Sequence, residues 1–213
     1  MSEVRLVVAV PTAGMVNMGF ACSLAGMISY TAANAVKTLP ECSIQIKLDV
    51  VQSSNWITNR EKLCKHAVEN NMTHLMFLDD DMVFDPQVLE IMLGRRQSIV
   101  CTNYLMKTEV PEFVAVSLDG QKRVKTTERS TGIEPVAYSG FGVSLFDVDV
   151  FRKVEQPWFA PVFIPEKSEY TTEDNPFYRK AREAGYTVYL DHDASKLVSH
   201  VGTRAWYWKD ANG

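Results

Sequence analysis

The sequence predicts an α/β fold with a central, mostly parallel sheet and a mixed C-terminal half. Over the first hundred or so residues, short apolar runs alternate with longer stretches of helical period, the signature of strand–helix–strand units. The runs Leu6 to Val10 and His74 to Leu78 are continuously apolar rather than alternating, as strands covered on both faces are. The 213 residues suit one domain at about 150 residues per domain, expected to span 1–213.

The elements follow in order. Leu6 to Val10 is a strand ended by Pro11-Thr12-Ala13-Gly14. From about Met18 to Val36, Phe20, Leu24, Met27 and Thr31 recur at helical spacing. Ile44 to Val51 reads as a strand, and Arg60 to Glu69 as a helix with Leu63, Ala67 and Val68 on one face. His74 to Leu78 is a strand running into Asp79-Asp80-Asp81. Asp85-Pro86 pairs an N-cap acid with a first-turn proline and predicts a helix to about Leu93. Ser98 to Thr102 is a further short strand. Beyond about Tyr104, Val110 to Val124 and Glu134 to Phe146 read as strand-rich, with turns at Asp119-Gly120 and Ser139-Gly140. A helix from about Thr172 to Ala184 and a strand from Thr187 to Leu190 follow.

Composition narrows the function classes. Apolar residues make up 46% and charged residues 23%, which excludes a disordered chain. The net charge of −4 supplies no general basic field for nucleic acid or anionic membrane. Lys122, Arg123, Lys125 and Arg129 nevertheless form one basic loop. The four cysteines contain no CxxC, so buried, reduced thiols are expected rather than a zinc ribbon. The stretch between Arg5 and Lys37 carries no charge, but polar residues, glycines and Pro11 interrupt it before a membrane span forms. No signal-peptide core is legible near the start, and a cytoplasmic location is expected.

The chemistry concentrates in the acid triplet. In open α/β sheets ligands sit outside the carboxyl ends of the strands. If the chain continues extended, Asp79 and Asp81 converge while Asp80 faces away. Adjacent carboxylates repel unless a cation relieves them, and a hard divalent ion bridging to phosphate oxygens fits. The Asp-x-Asp pattern also occurs at Asp147-Val-Asp149 and Asp191-His-Asp193, so spacing alone is weak. The first of these reads as a helix start, where acids meet the positive dipole end.

The order of these pieces resembles a known family. Pro11-Thr12-x-Gly14 after the first strand, then Arg60, then Thr73 to Phe84 with its DxD motif, look like small GT-A-fold (Rossmann-like) glycosyltransferases of the family 2-like kind common in phages and bacteria. Ser139-Gly-Phe-Gly142, Thr172-Glu-Asp-Asn-Pro-Phe177, and Asp191 with Ser199-His-Val-Gly202 are similar to later motifs of that family. The resemblance implies a nucleotide-binding half, 1–104, and an acceptor-side half, 105–213. It implies metal-dependent transfer of a hexosyl or related sugar from a nucleotide-diphosphate donor, a UDP-sugar by preference, to an acceptor hydroxyl. Pro11, Thr12, Arg60, Asp79 and Asp80 would bind the nucleotide sugar. Asp81, His200 and Asp79 would hold Mn²⁺ or Mg²⁺. Asp174, or Glu173 beside it, would be the base of an inverting reaction, in the host cytoplasm if phage-encoded. The family often has Arg-Asn where this chain has Arg60-Glu61.

Several features read two ways. Thr171 to Asp174 fits a capping box as well as a base. Gly140 and Gly142 allow a close ligand approach or mark a bulge. Trp158, and Trp206, Tyr207 and Trp208, are core packing or sugar-stacking surfaces. The basic loop is a solvated face, or grips a polyanionic acceptor such as DNA with a hydroxymethylated base; a glycan or a small molecule is the other acceptor class. A nucleotidyltransferase or a non-catalytic nucleotide-sugar binding module are the competing functions, although Pro11 to Gly14 lacks the basic residue the former would need.

Overall fold

In a computed structural model, residues 2–38, 42–202 and 205–212 are described. The first strands and helices are β1 (Ser2–Thr12), α1 (Met18–Thr38), β2 (Cys42–Gln52), α2 (Trp56–Glu69), β3 (His74–Leu78), β4 (Met82–Phe84), α3 (Val88–Gly94) and β5 (Ile99–Cys101). The second half adds β6 (Val116–Ser117), β7 (Ile133–Tyr138), β8 (Val143–Asp147), α4 (Val148–Lys153), β9 (Phe163–Ile164), β10 (Glu169–Tyr170), α5 (Asp174–Glu183), β11 (Tyr189–Asp191), α6 (His192–Ser195), β12 (Val198–Val201) and β13 (Ala205–Tyr207).

Eight strands form one sheet in the order β2-β1-β3-β8-β5-β11-β7-β6. The pairings make all of them co-directional except β8 and β7, which run antiparallel to their neighbours. The expected α/β class and mostly parallel sheet are therefore what the chain forms. The continuous apolar runs have the expected cause. Val7, Ala9, Leu75 and Phe77 point into one core, and Leu6, Val8, Val10, Met76 and Leu78 into the other. A separate three-stranded sheet, β13-β12-β4, stands beside the carboxyl end of β3.

Some expectations need correction. Helix α2 begins four residues earlier than expected because the Asn55 side chain caps it, accepting from Thr58 N at 3.0 Å. Asp85-Pro86 opens a turn rather than the helix: Asp85 Oδ1 accepts from Gln87 N at 2.9 Å, and α3 starts only at Val88. Val110 to Val124 is largely irregular, with β6 as its one named strand. The strand-rich stretch Glu134 to Phe146 forms β7 and β8 on either side of the turn, and β5 and β11 lie between them in the sheet. Cys64 and Cys101 are buried free thiols as expected, whereas Cys22 is exposed on α1; the Cys42 side chain lies outside the described residues.

The second and third Asp-x-Asp pairs are structural. Asp147 precedes α4 and Asp149 pairs with Arg152. Asp191 is fully buried; it caps α6 through Asp193 N and Ala194 N, and both its oxygens receive Arg95 at 2.8 and 3.1 Å. Arg95 keeps Asp193 at 2.6 Å and is part-exposed, so Asp191→Ala loses a helix cap and a charged hydrogen bond rather than stranding a charge. It should cost about 1–3 kcal/mol, readable as a lower urea midpoint with unchanged m-value.

Candidate active site

The acid triplet does not continue the strand. After Leu78 the chain turns, Met82 N donating to Asp79 O at 3.0 Å, and enters β4. The alternation argument for Asp79 and Asp81 therefore fails, because it assumed extended backbone. The three carboxylates instead reach three different partners.

Asp79 Oδ1 accepts from Arg60 Nη2 at 2.7 Å, while Arg60 Nε donates to Glu173 Oε1 at 3.3 Å. Arg60 is 3% exposed, with its guanidinium 5.0 Å from the ring centres of Phe77 and of Phe141. Burial works against its charge, and Asp79 and Glu173 more than restore it. Its buried Nη1 finds no hydrogen-bond partner.

Asp80 is shifted upward by burial, opposed by a hydrogen bond from Thr12. Pro11 and Thr12 end β1 beside it, both buried, and Asn59 Nδ2 holds the Thr12 carbonyl at 3.2 Å. Asn17 N donates to Asp80 O at 3.1 Å, which ties down the loop after β1.

Asp81 faces His200, whose Nε2 lies 3.3 Å from Oδ2, and its carboxylate also receives the Lys107 ammonium. Burial raises this carboxyl, but the His200 and Lys107 hydrogen bonds overcome it and hold it at about 2. The small sheet makes this meeting possible: His200 pairs with Met82 across β12 and β4, and Val201 N donates to Asp81 O at 2.8 Å. His200 Nδ1 donates to the Leu105 carbonyl at 2.9 Å, so Nε2 is the nitrogen presented to Asp81.

Asp81 and His200 have the spacing of two ligands on one ion, but Asp81 Oδ2 also receives the Lys107 ammonium, which a divalent cation would have to displace. Two ligand atoms on one ion at ~2.1 Å each lie about 3.0–3.4 Å apart, the spacing Asp81 and His200 show. The carbonyl on Nδ1 is the usual outer support of a metal-binding imidazole. Among the described residues no third His, Cys, Asp or Glu completes a protein cage, so an ion here would take its other ligands from a substrate or water. Asp79, expected as a ligand, has Oδ1 committed to Arg60.

Asp174 opens α5 one residue beyond Glu173. The capping box does not form: Thr171 Oγ1 accepts from Val162 N at 2.9 Å instead. Asp174 Oδ1 receives Thr172 Oγ1 and Asn175 N. Burial, reinforced by the charge of Glu173, lifts the Asp174 carboxyl to about 6 despite these bonds.

Sequence reasoning missed Tyr104, Lys107 and Asn59, which lie in no motif of their own. Tyr104 is buried, its ring 5.2 Å from that of His200, and its Oη accepts from Gly142 N at 3.0 Å. The spacing of Gly140 and Gly142 was the available signal for it. A Cβ at Gly140 would lie 2.1 Å from Tyr104 Oη, and one at Gly142 2.8 Å from the same atom. These glycines make room for a phenol rather than for a ligand. Glu61, the residue after Arg60, accepts from Phe159 N at 2.9 Å. Trp158 is core, bonded to the Val154 carbonyl. Tyr207 is exposed, Trp208 half-buried, and the Trp206 side chain lies outside the described residues. In the basic loop Arg123 turns back to the Val114 carbonyl, leaving Lys122, Lys125 and Arg129 exposed.

No family model and no curated protein matches the chain. Among solved structures, A197 from STIV resembles it with a TM-score of 0.56 and 18% identity over 95% of this chain and 86% of that one, a likeness of fold alone. TarS 1–349 from S. aureus, solved in complex with UDP-GlcNAc, gives a TM-score of 0.47 at 10% identity over 97% of this chain and 58% of that one. The nucleoside-diphosphate-sugar pyrophosphorylase from Vibrio cholerae RC9 gives 0.46 at 10% identity over 87% and 91%. Both of these scores are too low to carry an argument about this chain.

Overpacking of this kind costs about 1–3 kcal/mol. Gly140→Ala should therefore lower the thermal midpoint by roughly 3–10 °C, and by less in a Tyr104→Phe background, because the closest contact is the hydroxyl.

Proposed function

We propose that the chain is a glycosyltransferase that moves a sugar from a nucleotide-diphosphate donor, UDP-linked by preference, to an acceptor hydroxyl. The observation that carries this reading is the gathering of carboxylates at the carboxyl end of β3, where Arg60 binds both Asp79 and Glu173; their environments differ accordingly. Asp81 is held at about 2 beside His200, while Asp174 is lifted to about 6 beside Arg60-bound Glu173. Carboxyl groups pushed apart in this way suit two tasks, one permanently ionised and one exchanging protons near neutrality. The motif order across the whole chain supports the same reading.

In the reaction the acceptor oxygen forms a bond to the sugar as the bond from sugar carbon to diphosphate oxygen breaks. Asp174 takes the acceptor proton; such a base contributes typically ~10²–10⁴ in rate. Asp81 and His200 would hold the divalent ion, which when bound neutralises charge growing on the leaving diphosphate. Arg60 fixes Asp79 for the nucleotide and Glu173 beside the base, and Thr12 is hydrogen-bonded to Asp80 in the same acid turn. Residues 1–104 supply the donor side and 105–213 the base and the acceptor side. The exposed Lys122, Lys125 and Arg129 would meet a polyanionic acceptor if there is one.

Thermal unfolding against UDP-, GDP-, dTDP- and CMP-sugars, with Mn²⁺ or with EDTA, tests the donor site. At 100 times the dissociation constant a ligand stabilises by about 2.7 kcal/mol, a shift on the order of 5–10 °C. One nucleotide class should give that shift with Mn²⁺, and Asp81→Ala should abolish it; no shift with any donor would sink the reading. Binding without turnover would leave a binding module.

The base has its own signature. Transfer should rise with pH through about 6 and then level off, because only ionised Asp174 accepts a proton. Asp174→Asn should remove activity. It should also raise the thermal midpoint at pH 8 but not at pH 4. The folded state disfavours the Asp174 anion, so stability falls as pH climbs from about 4, the unfolded value, to about 6. Denaturation of both proteins at the two pH values reads this directly.

A further inference from the structure

Strand β2 closes one side of the eight-stranded sheet, and along its eleven residues, Cys42–Gln52, it pairs only with β1 among the described residues. Long edges are normally blunted by proline, bulges or charged side chains, lysine above all, because an open row of N–H and C=O groups templates another strand. β2 has neither proline nor bulge, and its lysine, Lys47, is matched by an opposite charge two residues on, Asp49. Its register with β1 runs unbroken from Ser2↔Cys42 to Thr12↔Gln52. Leu48 and Val50 are 45% and 51% exposed.

The two faces of β2 carry different chemistry. Ile44 and Ile46 pack into the core beneath α1, so the even residues, Leu48 and Val50 included, share that face. Val51 packs into the core beneath α2, and Asp49 Oδ2 lies 3.1 Å from His66 Nδ1 of that helix, so Lys47 and Asp49 share the other face.

We propose that a second copy of this chain pairs antiparallel with β2, about a two-fold axis through Leu48 and perpendicular to the sheet. In that register Lys47 of each copy stands opposite Asp49 of the other. On the opposite face Leu48 meets Leu48 and Ile46 meets Val50. Moving the axis to Lys47 sets Lys47 against Lys47, and moving it to Asp49 sets Asp49 against Asp49. Like charges directly opposite are unfavourable, so the charges and the apolar residues select the same centre. The candidate active site lies at the carboxyl end of the strands. Antiparallel pairing therefore puts the two sites at opposite ends of a continuous sheet, neither covered by the partner.

Sedimentation equilibrium on the chain, over a dilution series, tests this without reference to activity. The expected mass is twice 24.0 kDa. Lys47→Asp alone, or Asp49→Lys alone, sets two like-charge pairs across the axis and should weaken association by about tenfold or more. The double variant Lys47→Asp/Asp49→Lys restores opposite charges and should recover it. Far-UV circular dichroism checks that each variant folds. A wild-type chain that stays monomeric at on the order of 100 µM, or a double variant no tighter than the singles, overturns the proposal.

Discussion

The Arg60 guanidinium is the constraint on which the site depends. A buried cation is tolerable only when paired, and its planar fork bonds two carboxylates in fixed directions. One comes from the end of β3, 19 residues away, and the other from the start of α5, 113 residues away. Phe77 and Phe141 hold the guanidinium from the aromatic core. With Asp79 and Glu173 pinned, the neighbours Asp80 and Asp174 have little freedom of position.

The electrostatics follow from that placement. Burial works against the charge of Asp81, but its hydrogen bonds to His200 and Lys107 outweigh it, so it stays ionised. Asp174 sits among protein atoms with its nearest cation, Arg60, already shared between other acids. The same residue type therefore acquires opposite tendencies a short distance apart, through desolvation in one case and charge pairing in the other. The buried Asp191 shows a third outcome, full pairing with Arg95 and a helix cap, which leaves it a structural group.

Tyr104 joins the parts. Its hydroxyl meets the Gly142 amide, the Gly142 carbonyl receives Asp79 N, and its ring meets His200. Two glycines close to a buried phenol let the β8 entry, the acid turn and the small sheet approach one another.

What the sequence determined by itself was local. Continuous apolar runs dictated strands buried on both faces, since no other element hides both faces of an extended segment, and Val7 and Val8 duly enter opposite cores. The triplet after His74 to Leu78 located the carboxyl end of the sheet, and the resemblance of the motif order nominated Arg60, Glu173, Asp174 and His200 as site candidates. Tertiary structure decided everything that depends on direction. The turn after Leu78 sent Asp79, Asp80 and Asp81 to different partners, where an extended chain would have converged the outer two. Pairing of Thr171 with Val162 rather than with its own helix dissolved the capping box. Lys107 and Tyr104 entered from a segment with no legible period. Periodicity reports which face of an element is buried, whereas the partner of a polar group is chosen by chain segments far away in sequence.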